Sequence, residues 1–377
     1  MTPATAIAPK RNSSISICKG IAIILMVMGH TEGPHLLVNF IYLFHMPLFF
    51  ITAGYFFSRK HMQDPWGFCM KRLRGLYVTF VKWSVFFLLI HNLLFDVGIL
   101  NEMYGNWEGG VTHPYSLKTA LQRLTSIVFS MGGYDEFLAG AFWFFRALLV
   151  VSIAFMVVVK TLDGRRRWLK PDVVLGIIAA SALGFAFLKI QFGLKITTLV
   201  QGGIRECWGM AFFAFGVFYR RHESRFPRHW ALTLLFLGAL VGGAALSLHG
   251  MTLKPNTIDV LTLPITGVIG FLAVHHISQW IDRHPGRLQR FLVYCGDNTL
   301  YIFVFHICAF KVVTVLKILC YGLDWHQIGT HMVVHLNAAT DGFFILYTIA
   351  GTCLPLLWIH TWRRLSPKLK TLRKQKL

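Results

Sequence analysis

The chain reads as an all-α integral membrane protein, with about ten transmembrane helices around a central polar cavity. Three observations predict this. Hydrophobic residues make up 55% of the 377, only 14% are charged against the roughly one quarter usual in soluble domains, and the basic residues cluster between apolar runs. Aromatics at 15%, including 33 Phe and 11 Trp, suit lipid-facing helices with interfacial belts. The formal charge of +21 raises nucleic acid as a partner, but its distribution in short inter-run clusters follows topology instead. Nucleic acid is therefore not expected; the bilayer is.

The apolar runs parse into spans at approximately 15–33, 36–58, 75–95, 138–159, 173–190, 207–219, 230–248, 258–281, 297–320 and 331–360. Each has about the ~20 residues a helical crossing needs, the short sixth run aside. Before the first, residues 1–14 form a tail, and residues 363–377 form a basic tail after the last. No small-x-small cleavage site follows the first run, so it is expected to stay as a helix rather than leave as a signal peptide. One set of loops carries Arg59, Lys60, Lys71, Arg72 and Arg74, then Lys160 to Lys170, Arg220 to Arg228, and Arg283 to Arg290. The alternate loops hold few cations, chiefly Lys118, Arg123, Lys195, Arg205 and Lys254. The asymmetry predicts both termini in the cytoplasm.

The long segment 96–137 then lies outside. Its "SLKTALQRLTSIVF" has an amphipathic pattern, readable as a re-entrant or interfacial helix or as a plain surface loop. The seven cysteines show no CxxC or Cys/His ligand spacing, which predicts free thiols and no metal.

Ionisable residues inside apolar runs are expensive and therefore point to function. Lys19 and His30 are eleven residues apart, close to three helical turns, so they share a face with His30 about 16 Å above Lys19. His45 precedes the basic edge at Arg59 by fourteen residues, and Arg146 precedes Lys160 by the same interval, roughly 21 Å in each case. His306 falls in the same band. Four ionisable groups from four spans thus converge near mid-depth, which favours a polar cavity over four isolated structural residues. Pro47, beside His45, leaves a backbone carbonyl without its helical donor, as happens where backbone lines a cavity.

At these residues the sequence resembles the membrane O-acyltransferases called acyltransferase family three. The pieces that carry the resemblance are "CKGIAIILMVMGH", "FHMPLFFITAGYFF", "FWFFRALL" and "GDNTLYIFVFH", spread over about residues 15 to 360. It implies a ten-helix enzyme that moves an acyl group, often acetyl, from cytoplasmic acyl-CoA to a hydroxyl of a sugar, glycan or related envelope compound. The family's basic-residue-plus-histidine motif matches Lys19 and His30. Many members carry arginine in the first place; lysine keeps the charge and loses the bidentate fork. The family's basic patch after the second span matches Lys71, Arg72 and Arg74.

The chemistry of acyl transfer fits these residue types. A base near neutral pH points to His30, and a donor for the thioester oxyanion points to Arg146 or His45. CoA phosphates call for cations at the mouth, for which Lys19, Lys71, Arg72 and Arg74 are placed. Glu32 and His35, just beyond His30, are candidates to orient the base or receive the acceptor. His306 and Asn298 are further substrate-binding candidates. A transporter or flippase with a polar cavity is the rival reading, although it does not need a phosphate cluster and a base on one helix face.

Overall fold

In the computed structural model, residues 13–106, 112–165, 170–194, 196 and 200–375 are described. The expected tails fall partly outside them, as do 107–111 of the outer segment and Arg166, Arg167 and Lys195 of the charge pattern. Every regular element among the described residues is helical. The order is α1 (Ser13–Gly29), α2 (His35–Tyr42), α3 (His45–Tyr55), α4 (Arg59–Gln63), α5 (Pro65–Arg72), a π-helical turn (Leu73–Tyr77) and α6 (Val78–Asp96). Two short helices, α7 (Glu102–Gly105) and α9 (Glu136–Ala139), flank α8 (Leu117–Ser130). Then come α10 (Trp143–Arg165), α11 (Pro171–Gln191), α12 (Ile204–His222), α13 (Trp230–Ala245) and α14 (Asp259–Arg283). The chain closes with α15 (Arg287–Asp297), α16 (Thr299–Tyr321) and α17 (Phe343–Gln375).

Among the described residues, seven helical segments are long and apolar enough to cross a membrane: 35–55, 65–96, 136–162, 171–191, 259–283, 299–321 and 343–366. The chain is thus a multi-pass, all-α membrane protein. Helices α1 and α13 are apolar but shorter, and α12 carries Arg205, Glu206, Arg220 and Arg221 within its length.

Two expected spans differ from the parse. The run 36–58 is broken at Leu43 and Phe44, and α3 restarts at His45, which places Pro47 in a first turn where its missing N–H leaves no bond unmade. The carbonyl of Leu43 takes a hydrogen bond from Thr266 Oγ1 of α14 instead (3.3 Å). The run 331–360 is helical only from Phe343, because residues 322–342 form a loop held by two lysines of α16, the half-buried Lys311 and the buried Lys317. Lys311 Nζ donates to the carbonyls of Ile328 and Thr330 (both 2.7 Å), and Lys317 Nζ meets Asp341 Oδ2 at 2.7 Å and the Val334 carbonyl at 3.1 Å. Backbone that would otherwise be unpaired is satisfied by these ammonium groups.

The amphipathic stretch of the outer segment is helical, as α8, and begins under a Ser116 cap. Its flanks are tied to α6. His91 Nε2 donates to the His113 carbonyl (2.8 Å), its Nδ1 meets the Asp135 carboxylate, and Tyr115 stacks on its ring at 3.7 Å. Asp135 also caps α9 by accepting from the N–H groups of Phe137 and Leu138. That cap fixes the entry to α10, and so the wall of the site.

The bundle's centre is α1, packed along α15 through reciprocal glycines. A Cβ on Gly20 would collide with the Leu292 carbonyl, and one on Gly296 with the Ser16 carbonyl. Small residues allow this backbone approach, the usual basis of helix association in lipid. Gly20→Ala is expected to lower stability in detergent by at least about 2 kcal/mol through overpacking. Gly238→Ala, where nothing lies within 4 Å of the added atom, should leave the melting midpoint unchanged. Equal midpoints for both variants would remove the close contact from the account.

The start of α1, the close of α14 and the later turns of α17 lie at one end of the bundle. Ser13 bonds Asp282 at the close of α14 (2.8 Å), and His360 of α17 packs on Tyr294 of α15, beside the start of α1. This is called the terminal end below.

Candidate active site

At the other end of α1 the helix stops after Gly29, and His30 stands in the turn that follows. It lines a chamber of about 490 Å³ together with Tyr42 and His45, and with residues of the outer loops and of the α10 and α12 starts. The chamber opens away from the terminal end, since its exposed lining residues, Glu136 and Leu253, stand in the segments at the opposite end of the bundle.

His306 of α16 determines how His30 is presented. Its Nδ1 lies against the carbonyls of Phe303 (2.9 Å) and Ile302 (3.2 Å), which can only accept, so the proton sits there and Nε2 is bare in the neutral ring. That Nε2 is 2.9 Å from His30 Nδ1, and the two rings are stacked with centroids 5.1 Å apart. His30 Nδ1–H therefore donates to His306, and His30 Nε2 carries a lone pair. Backbone carbonyl, His306 and His30 form a relay that fixes the tautomer of the last member.

His45 is fixed in the same way by the helix break. Its Nδ1 donates to the Ile41 carbonyl (2.8 Å), so its Nε2 is also an acceptor while the ring is neutral. A neutral His45 cannot supply an oxyanion donor. Its ring shares the chamber with His30 and stands edge-on to Tyr42, whose hydroxyl donates to the Gly29 carbonyl (3.2 Å).

The cation in the chamber is Arg205, not Arg146. Arg205 Nε donates to the Met251 carbonyl (2.9 Å), and its guanidinium lies 4.0 Å from the Trp143 ring. Arg146 lines neither this chamber nor the second cavity described below; its Nε meets Glu206 Oε1 at 3.3 Å, and both side chains are buried. A buried guanidinium at that depth needs a carboxylate, and α12 supplies one. The charge pattern had placed Arg205 in an outer loop, whereas it opens the first turn of α12.

Three other expected residues stand away from the chamber. Glu32, in a left-handed turn (φ 52°), meets His335 Nδ1 at 2.6 Å rather than orienting His30. His35 is exposed at the start of α2. Asn298 is buried at the α15–α16 break, where its Nδ2 donates to the Tyr294 carbonyl (2.9 Å), about 12 Å along α16 from His306. His331, which the sequence did not single out, does line the chamber, edge-on to Phe137. Burial, and after it the Lys311 ammonium, push this imidazole down to about 4, so it is neutral at pH 7.

A second cavity, of about 300 Å³, begins at Lys19 and ends at Met26 and Met46. The same two methionines line the histidine chamber, so they form a wall common to both cavities. Gly75 and Leu76, within the π-helical turn, lie on the second cavity's wall directly after Arg74. Lys71 and Arg74 are exposed and Arg72 is half-buried over Phe68 (5.2 Å), so the basic cluster flanks the Lys19 mouth. Among the described residues no group of His, Cys, Asp or Glu is arranged to hold a metal ion.

Residues 12–359 match the family model described as an acyltransferase domain, and the chain belongs to that family, acyltransferase family three. No curated protein and no solved structure matches.

Proposed function

We propose that this family member transfers an acyl group, acetyl as the expected case, from acyl-CoA to a hydroxyl of a sugar, glycan or other envelope compound, with His30 as general base. The observation that carries the reading is the His306–His30 relay. It turns a bare Nε2 into a chamber whose floor, at Met26 and Met46, is also the ceiling of a cavity entered past Lys19.

In this reading α1, α12 and α13 also cross the membrane, giving ten crossings, and the terminal end faces the cytoplasm of a bacterial-type inner membrane. The CoA head rests on Lys71, Arg72, Arg74 and Lys19, and its pantetheine arm rises between the methionines. The acceptor enters from the opposite end. Its hydroxyl gives a proton to His30 Nε2 while its oxygen bonds to the thioester carbonyl carbon. The C–S bond then breaks, and the CoA thiolate takes the proton back from the His30 imidazolium. Arg205 is the fixed positive charge nearest the developing oxyanion. His45 Nε2 accepts a hydrogen bond from the acceptor. Tyr42, Tyr134 and Trp143 offer the flat apolar surfaces on which a sugar ring rests.

Consumption of labelled acetyl-CoA by the purified protein with candidate acceptors tests this reading. Turnover supports it, whereas ligand movement across vesicles without thioester cleavage would indicate the transporter. For the donor side, replacing Arg72 and Arg74 with Gln is expected to raise the acyl-CoA requirement more than it slows the maximal rate. A phosphate contact contributes equally to ground and transition states. An unchanged acyl-CoA dependence in correctly inserted protein would return both residues to a purely topological role.

A further inference from the structure

On the face of α16 turned away from His30 lies a groove of about 670 Å³, bounded by α6 on one side and α17 on the other. Its walls are apolar and aromatic: Trp83 and Phe86 from α6, Phe305 and Cys308 from α16, Trp358 and Trp362 from α17. The size is within the range of about 300–1,000 Å³ typical of small-molecule sites. No acidic residue lines it.

Cations stand along it without counter-charge. Lys82 is exposed in the apolar α6, where its ammonium lies 4.7 Å from the Trp83 ring and makes no ion pair or hydrogen bond among the described residues. An unpaired ammonium on a lipid-facing helix is costly, and the bilayer offers one abundant partner, a headgroup phosphate. Arg363 of α17 is exposed and 5.7 Å from the Tyr301 ring, one helical turn from Phe305, which packs on Trp83 (4.8 Å). Both cations therefore reach the part of the groove nearer the terminal end.

We propose that this groove holds one anionic phospholipid of the leaflet at the terminal end, with its phosphate between Lys82 and Arg363 and an acyl chain against Phe305, Trp358 and Cys308. Length favours a phospholipid over a polyisoprenyl phosphate. From Tyr301 to Ala309 the groove runs about 12 Å, close to one leaflet at half of a ~30 Å hydrocarbon core. The consequence follows from α16 itself. Tyr301, Phe305 and Cys308 face the lipid while His306 faces His30, so the lipid braces the helix that orients the base. That functional consequence rests on the acyltransfer reading; lipid binding does not.

The test is native mass spectrometry of the delipidated full chain titrated with phosphatidylglycerol or phosphatidylcholine. The expected result is one phosphatidylglycerol held preferentially. The preference should fall roughly 30-fold in Lys82→Gln/Arg363→Gln, as the loss of two basic contacts to an anionic lipid predicts, and persist in Lys82→Arg. Lys82 and Arg363 are exposed, so the folded state does not depend on them, and a thermal melt of each variant checks that. Equal binding of the two lipids, or an unchanged preference in the double variant, would overturn the proposal. Displacement of phosphatidylglycerol by equimolar polyisoprenyl phosphate would overturn the choice of phospholipid. With binding shown, acetyl-CoA turnover in phosphatidylglycerol and phosphatidylcholine nanodiscs reads the bracing. A higher rate in the anionic lipid supports it, and equal rates contradict it without touching the site.

Discussion

Acyl transfer by His30→Ala is expected to fall at least about 100-fold at matched membrane abundance, with little change in the acyl-CoA requirement. The magnitude is the lower end for general-base catalysis. The requirement should hold because His30 lies in the chamber beyond Met26, away from the Lys19 mouth where the CoA phosphates are held in this reading. Loss of a group that acts only in the transition state lowers kcat and kcat/KM together. Near-normal turnover would remove His30 from the mechanism. His45→Ala should also lower the rate, but the double variant should be scarcely worse than His30→Ala, because groups acting as a unit are not additive. Fully multiplicative losses would instead make His45 a structural histidine of the α2–α3 break.

His306→Ala is expected to lower kcat by about 10- to 100-fold, the range between partial and complete loss of a general base. His306 does not line the chamber; it acts by accepting the His30 Nδ1 proton and so keeping Nε2 bare. Alanine leaves that Nδ1–H without its acceptor and frees the ring to adopt the other tautomer. A positioning role makes a further demand that a packing role does not. His306→Gln places a carbonyl oxygen able to accept the same proton, so it should recover part of the lost kcat at unchanged KM. If Gln and Ala are equally impaired, the relay is wrong and His306 is a packing residue of α16.

The geometry of the first helix was legible because its spacing is local. Eleven residues along α1 and its closing turn carry the chain from Lys19 to His30, and the cavities those two residues line share Met26 of that helix. The mid-depth argument also gathered His45 and His306 correctly, since helices of similar length starting at a basic edge reach similar heights. It failed for Arg146 because depth says nothing about direction. Arg146 turns to Glu206 of α12, whereas the neighbouring Arg205 lines the chamber against Trp143. The adjacent "RE" at 205–206, polar residues opening an otherwise apolar run, was the available signal.

The outer loop was misread for a related reason. Residues 331–342 contain "MVV", and hydropathy alone extended the last span through them. What holds them as a loop is the half-buried Lys311 and the buried Lys317 of α16, bonded to loop carbonyls and Asp341. Two lysines in an apolar run pointed to such partners. Which carbonyls they meet depends on tertiary placement that no periodicity contains. The same applies to α15, whose packing on α1 rests on Gly20 and Gly296 lying opposite carbonyls of the other helix.

The central claim is a passage entered by acyl-CoA at the terminal end and by the acceptor at the other, with chemistry where they meet. Sealed vesicles with the protein in one defined orientation test it most directly. Labelled acetyl-CoA is supplied only on the side of the termini, and an envelope glycan extract only on the opposite side. The account predicts labelled acyl product on the glycan side, free CoA on the donor side, and neither with His30→Ala. Product formed only when both substrates share one side, or labelled acetyl-CoA itself crossing intact, would contradict it.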